Sequence, residues 1–147
     1  MITFANGKSY EQVSVLGAVQ SFQGQLRNTL AMKFRSAAIT LAEATELYKN
    51  SAALKEISIL ETCTETDSDG TETEKRRSSV QLNFTLPVEL TLSEERITPQ
   101  ESAEIITIKV AQMSALEIML EKHSADISAL DDAVLEIGEL LGGDSNG

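Results

Sequence analysis

The sequence is poor in the residues that build disulfide frameworks and aromatic cores. Its 147 residues include one cysteine, Cys63, four phenylalanines, two tyrosines and no tryptophan. A single cysteine cannot form an internal disulfide, so the sequence excludes a secreted disulfide scaffold. So few aromatic side chains leave little large apolar surface to bury, and association with other chains would therefore help stability.

Basic residues and long apolar runs are also scarce. The chain has 12 Lys and Arg against 23 Asp and Glu, a formal net charge of −11. This balance argues against a nucleic-acid or anionic membrane surface and is consistent with a basic protein partner. No run of 18 apolar residues occurs, and residues 1–8 lack a basic segment followed by an apolar one. We therefore expect no membrane insertion, and synthesis in a cytoplasm without a signal peptide.

What the sequence does contain is a heptad pattern near its C-terminal end, where an apolar or imidazole side chain recurs in steps of three and four. Sustained over about four heptads, such a repeat predicts a helix that winds around partner helices. A Ser114–Glu117 capping box opens this helix. The predicted oligomer interface comprises Met113, Leu116, Leu120, His123, Ile127, Leu130, Val134, Ile137 and Leu141.

The heptad residues allow two- or three-stranded assembly, and Ile137 at a d position leans toward a homotrimer. The residues that flank the seam are mostly acidic, however, so identical parallel helices gain no attractive pairs between them. A second interpretation therefore stays open, in which the helix docks on a basic groove of another protein.

Residues before the helix predict a β-rich domain. Period-two alternation predicts strands at about 26–34 and 80–92, and along the second of these every other residue is apolar. A run of β-branched residues predicts a further strand at about 104–111. The capping-box spacing of Thr40 and Glu43 predicts one short helix.

Residues near 61–79 predict a long hairpin with an exposed distal part, because Thr-rich arms flank the turn segment Asp67–Gly70. A calcium loop is the weaker interpretation of this turn, since Arg76 takes the position where a bidentate Glu is needed. The basic cluster Lys75-Arg76-Arg77 could meet an acidic neighbour, but pairing across the strands of the hairpin is the simpler role.

Together these patterns predict an α+β fold. A small, mainly antiparallel β domain with one short helix occupies residues 1–111. A long coiled-coil-type helix for oligomerisation or docking follows at 112–141, and residues 142–147 form a flexible tail.

Candidate chemical groups are few. His123 could bind a transition metal or an anion where three copies meet, or it could be a buried polar residue that fixes the helix register. Cys63 has no His near it in the sequence, so a Cys–His nucleophile is not indicated. We predict no catalytic residue, no metal site and no cofactor, and hence no enzyme.

Several segments carry a resemblance. The strand Ile2-Thr-Phe-Ala-Asn-Gly7, the strand opening Leu26–Leu30, the Thr- and Glu-rich hairpin and the closing segment Ala125–Val134 resemble small proteins encoded in phage and prophage tail or baseplate gene clusters. The resemblance lies in texture and segment order and supplies no site residues.

The resemblance implies a virion or tail-like particle as the location. It also implies a non-enzymatic structural or assembly subunit that associates with itself and with larger tail, baseplate or fibre proteins. The alternative is an assembly chaperone or regulatory adaptor whose acidic amphipathic helix binds a basic partner protein.

Overall fold

The computed structural model describes residues 1–127. The chain divides into two compact units, Met1–Met113 and Ser114–Gly147. The described part of the second unit is residues 114–127.

The first unit is built mostly from antiparallel strands, which make up 56% of the described chain. The strands are β1 (Ile2–Phe4), β2 (Ser9–Tyr10), β3 (Ser14–Phe22), β4 (Gln25–Arg35), β5 (Glu56–Thr66), β6 (Glu72–Leu82), β7 (Leu86–Thr98) and β8 (Glu101–Ala111). Two short helices, α1 (Leu41–Lys49) and α2 (Ser51–Leu54), lie between β4 and β5. In the second unit the described residues 115–127 form helix α3.

The eight strands form two four-stranded sheets. The first has the order β2-β1-β5-β6 and the second the order β3-β4-β8-β7. Each strand pair is antiparallel, so short turns suffice for the connections within the β1–β2, β3–β4, β5–β6 and β7–β8 hairpins.

One apolar core joins the two sheets and the segment that holds α1 and α2. Ile2, Phe4, Ile57 and Ile59 come from the first sheet, and Leu30, Met32, Phe34, Ile106, Ile108 and Val110 from the second. Ile39, Ala44, Leu47, Ala53 and Leu54 add the helical segment to the same cluster. With no tryptophan available, branched aliphatic side chains supply most of this packing.

The capping box predicted at Thr40 is confirmed. The Thr40 hydroxyl accepts a hydrogen bond from the Glu43 N–H at 3.2 Å, and the Glu43 carboxylate accepts one from the Thr40 N–H at 2.9 Å. Asn50 ends α1 in an extended conformation, and its side chain accepts a hydrogen bond from the Ala53 N–H at 3.1 Å, which caps α2. The segment therefore holds two short helices where the sequence predicts one.

The predicted α+β fold that ends in a long coiled-coil helix is wrong. The described residues are mostly antiparallel β, and within residues 1–127 the last helix spans about 13 residues. The physical reason lies in the pattern itself, because steps of three and four place residues on one face of any amphipathic helix and do not fix its length or its supercoiling. The predicted seam positions Leu130, Val134, Ile137 and Leu141 lie outside the described residues.

The single strand predicted at 80–92 is also wrong. β6 ends at Leu82 and β7 begins at Leu86, and the two strands belong to different sheets. Asn83 has a positive φ of 63°, a left-handed conformation that breaks an extended strand. Apolar alternation continues through this break, so the sequence pattern hides the change of sheet.

Candidate functional site

The hairpin of β5 and β6 extends well beyond the rest of its sheet. Its register runs from Glu56 opposite Leu82 to Thr66 opposite Glu72, and both strands have 11 residues. β1, in contrast, pairs with β5 only along Ile57–Ile59. We name residues 61–79 the arm. Within the described chain, the strands of the arm pair only with each other.

A short turn closes the arm at its tip. The Asp67 N–H donates to the Thr71 carbonyl at 2.9 Å, and the Gly70 N–H donates to the Asp67 carbonyl at 2.9 Å. Gly70 has a φ of +80°, which glycine adopts without a steric penalty. Backbone hydrogen bonds thus account for this turn without a bound cation. Across residues 1–127, no group of three or more His, Cys, Asp or Glu side chains is placed to hold a metal ion.

Both faces of the arm are exposed to solvent. Every residue of the arm is exposed except Cys63, which is half-buried. The inner face continues the side of the sheet that carries Ile57 and Ile59, and it bears Glu61, Cys63, Glu65, Thr73, Lys75, Arg77 and Ser79. The outer face bears Thr62, Thr64, Thr66, Glu72, Glu74, Arg76 and Ser78.

The basic cluster of the arm is divided between these two faces. On the inner face the Lys75 ammonium forms an ion pair with the Glu65 carboxylate, and Arg77 lies directly opposite Glu61. Cross-strand pairing, the simpler interpretation of this cluster, is thus present at Lys75. On the outer face Arg76 lies opposite Thr62. The Lys75–Glu65 pair is about half exposed, so solvent and salt screen it strongly.

Gln112 fixes the root of the arm to the second sheet. Its side-chain N–H donates to the Leu82 carbonyl at 2.9 Å, and its side-chain oxygen accepts from the Asn28 amide at 2.9 Å. The N–H of Asn83, just beyond β6, donates to the Lys55 carbonyl at 2.9 Å. These contacts hold the end of β6 on both sides, so the arm projects from a fixed base.

A groove of about 470 Å³ lies between the β3–β4 hairpin and the root of the arm. Its apolar side chains are Val15, Ala18, Val19, Leu30, Ile59 and Phe84, and its polar ones are Asn28, Thr29, Glu61, Ser79, Gln81 and Gln112. These groups offer amide and hydroxyl hydrogen bonds beside an apolar floor, together with one carboxylate. Such a lining suits an extended polypeptide better than a charged small molecule.

Perturbed ionisable groups of the first unit lie away from the arm. The hydrogen bond from Arg35 at 2.6 Å lowers the pKa of Glu101 and raises that of the guanidinium. The backbone hydrogen bond from Thr40 lowers the pKa of Glu43. Burial raises the pKa of Tyr10, and the charges of Glu43 and Glu46 add to this effect. The first two contacts stabilise a strand pair and a helix start.

The residues of the predicted oligomer interface fall into three groups. Met113 ends the first unit, where its N–H donates to the Asn83 carbonyl at 2.9 Å. Leu116, Leu120, His123 and Ile127 are exposed on α3 and recur at the spacing of one helix face. The remaining four, Leu130, Val134, Ile137 and Leu141, lie outside the described residues. The structure describes a single chain, so it leaves the predicted interface as a prediction.

The helix α3 begins with the predicted capping box. The Ser114 N–H donates to the Glu117 carboxylate at 3.0 Å, and the Glu117 N–H donates to the Ser114 hydroxyl at 3.2 Å. This reciprocal pair satisfies two backbone groups that would otherwise lack helical partners.

Sequence reasoning missed a reversal at the start of β4. The alternation predicts Leu26 inside and Arg27 outside, but Leu26 is 76% exposed and Arg27 only 5% exposed. The Arg27 guanidinium donates to the Phe22 carbonyl at 3.2 Å and to the Gln112 carbonyl at 3.3 Å. The hydrogen-bond acceptors of a buried arginine can come from distant residues, so the local sequence pattern does not predict its burial.

Comparisons with family models, curated proteins and solved structures gave no match to this chain. None of the helices in residues 1–127 is both long enough and apolar enough to span a membrane.

Proposed function

We propose that the chain is a non-enzymatic structural or assembly subunit, and that the arm is its contact with a neighbouring protein. The observation that carries this proposal is the length of the paired strands beyond the core. β5 and β6 remain paired as far as Thr66 and Glu72, although β1 leaves β5 after Ile59.

The energetics of a two-stranded ribbon support a role outside the chain. An isolated hairpin is marginally stable in water, because one pair of strands buries little apolar surface. The arm gains one ion pair, Lys75 with Glu65, and that pair is exposed. The arm gains little stabilisation from contacts within its own chain, so we explain its length by the surface that it offers to another protein chain.

The assembly we favour is a phage tail-like particle. The support for that choice is the sequence resemblance to small tail and baseplate proteins, and the arm is consistent with it. The larger tail, baseplate or fibre proteins would be the neighbours, together with further copies of this chain.

A second candidate is an assembly chaperone or adaptor that binds a basic protein through α3. One observation favours it: Leu116 is 65% exposed, and Leu120 and Ile127 are each 59% exposed on the same helix face. Glu117, Glu121 and Asp126 lie on this helix as well. An apolar stripe beside carboxylates matches an amphipathic basic partner.

A shortened arm tests the first candidate. In this variant Asn-Gly replaces residues 62–76, so that a two-residue turn joins Glu61 directly to Arg77. The backbone hydrogen bond between Asp67 and Thr71 shows which residue pairs of the arm are hydrogen-bonded, because hydrogen-bonded and non-bonded pairs alternate along the ladder. Counted from that pair, residues 61 and 77 form a hydrogen-bonded pair, which a two-residue turn requires. We expect a loss of strand signal in circular dichroism no larger than the deleted residues account for, and an unchanged thermal midpoint, because the core lies elsewhere.

Photo-crosslinking in the cells that make the protein then tests the contact. A crosslinking amino acid at Ser78 on the arm should give a discrete adduct, while the same group at the exposed turn residue Gln100 should not. Adducts from Gln100 alone, or unfolding of the shortened variant, would contradict the proposal. A discrete adduct from Leu120 with none from Ser78 would favour the adaptor.

A further inference from the structure

We propose that the free edge of β6 pairs with the β6 edge of a second copy of the chain, antiparallel, about a two-fold axis at Lys75. This inference rests on the proposed function, because it names the partner of the arm. The pairing would join two four-stranded sheets into one sheet of eight strands, in the order β2-β1-β5-β6 and its reverse.

The backbone of β6 is suited to such pairing. β6 is the terminal strand of its sheet among the described strands, and residues 72–80 are all exposed. Hydrogen-bonded and non-bonded pairs alternate along an antiparallel ladder, and the Asp67–Thr71 hydrogen bond fixes the phase of that alternation. Residues 73, 75 and 77 therefore direct their N–H and C=O groups toward β5. Residues 72, 74, 76 and 78 direct theirs to the open edge.

The side chains on the outer face complement each other when two copies meet. Glu74 lies opposite Thr64 within the arm, and Arg76 lies opposite Thr62. An axis at Lys75 places Glu74 of one copy directly opposite Arg76 of the other, and symmetry repeats the pair. Directly opposite residues on one face of a sheet are close enough for their charges to interact.

Symmetry also selects the axis residue. The residue on the axis meets its own copy, so an axis at Glu74 would bring two carboxylates together and an axis at Arg76 two guanidinium groups. Each of these has an uncharged threonine opposite it on β5. Lys75 is different, because its ammonium is already paired with Glu65 in the same arm. The central row would then read Cys63, Lys75, Lys75 and Cys63. The Glu65 carboxylate of each arm lies diagonally across from Lys75 and compensates the ammonium group of its own copy.

Charged residues on an edge strand also have a protective role, since they discourage unwanted pairing. A purely protective edge needs only charges of one sign. The outer face of β6 instead carries charges of both signs at every second position, Glu72, Glu74 and Arg76. Such a face attracts an antiparallel copy of the same strand. Because these pairs are exposed, their attraction should weaken as salt is added.

A charge-swap series on the full chain tests this pairing by analytical ultracentrifugation. The unaltered chain should form a dimer whose dissociation constant rises with salt. Arg76→Glu and Glu74→Arg should each weaken the dimer by about tenfold, because each replaces two attractive pairs by repulsive ones. The double variant Glu74→Arg/Arg76→Glu should restore the dissociation constant to within about threefold, since the pairs are re-formed in reverse.

The control is Arg96→Glu, a charge reversal on the exposed part of β7 that should leave the dimer unchanged. A chain that stays monomeric at every concentration, or a double variant no better than either single one, would overturn the inference. Failure here is distinguishable from failure of the proposed function. A discrete adduct between Ser78 and a different protein would contradict the pairing of two copies but support the assembly function. The absence of any adduct from Ser78 would contradict both.

Discussion

The side-chain amide of Gln112 donates a 2.9 Å hydrogen bond to the carbonyl of Leu82, the last residue of β6. Gln112 follows β8, so this single contact joins the end of the second sheet to the root of the arm. The same side chain accepts from Asn28, which means that one glutamine serves two partners in different strands.

We expect Gln112→Ala to lower the free energy of unfolding by about 0.5–1.5 kcal/mol, because it removes two hydrogen bonds, one to the Leu82 carbonyl and one from the Asn28 amide, between groups that solvent reaches. Urea unfolding followed by circular dichroism measures the change. Gln100→Ala, in an exposed turn, is the control and should have no effect beyond experimental error. Equal stability of the two variants would mean that water replaces the Gln112 contacts.

A matched pair of Val→Thr substitutions tests the break between β6 and β7. Val110 is fully buried in the core, so Val110→Thr should cost about 1–3 kcal/mol by burying a hydroxyl. Val80 is 53% exposed on the outer face of the first sheet, and Val80→Thr should change stability by no more than about 0.5 kcal/mol. Similar losses at the two positions would place Val80 inside, as an unbroken strand at 80–92 requires.

Acid should weaken two contacts of the first unit. The Arg35 hydrogen bond lowers the pKa of Glu101, and the Thr40 backbone hydrogen bond lowers that of Glu43, so both carboxylates are held ionised in the fold. Their stabilisation is complete above the ordinary carboxyl pKa of 4.5 and is lost as the pH falls through the lower folded values. The raised pKa of Arg35 has no effect in this window, since a guanidinium stays charged throughout it.

Thermal midpoints measured from pH 7 down to pH 2 should therefore fall less steeply for Glu101→Gln and Glu43→Gln than for the unaltered chain. Asp69→Asn, in the exposed turn of the arm, is the control. An identical pH profile for Glu101→Gln and the unaltered chain would show that the Arg35 contact contributes nothing to stability in solution.

The sequence predicts those parts of the fold where local pattern and burial agree. Alternation marks Leu30, Met32 and Phe34 correctly, and the β-branched run 105–110 correctly predicts a strand, because both strands lie in the centre of a sheet with one side on the core. The capping boxes at Thr40 and Ser114 are equally readable, since all of their partners lie within three residues. These features need no information from distant parts of the chain.

Other features depend on distant contacts and were mispredicted or missed. The chain passes from one sheet to the other at Asn83, where φ is positive, although the apolar alternation continues unchanged through this residue. Arg27 is buried because Phe22 and Gln112 offer it carbonyl groups, and Gln112 is 85 residues away. For the candidate site, the basic cluster on the arm is visible in the sequence. The residues that the cluster faces, such as Thr62 opposite Arg76 and Glu61 opposite Arg77, require the register of β5 and β6.

Amide hydrogen exchange along β6 tests the central claim most directly, because it reports on the open edge residue by residue. The amides of residues 73, 75 and 77 face β5 and should be protected at every protein concentration. The amides of residues 72, 74, 76 and 78 should exchange rapidly in dilute protein and become protected as concentration rises, and Arg76→Glu should remove that protection. Rapid exchange at these four positions at all concentrations would contradict the pairing of two arms.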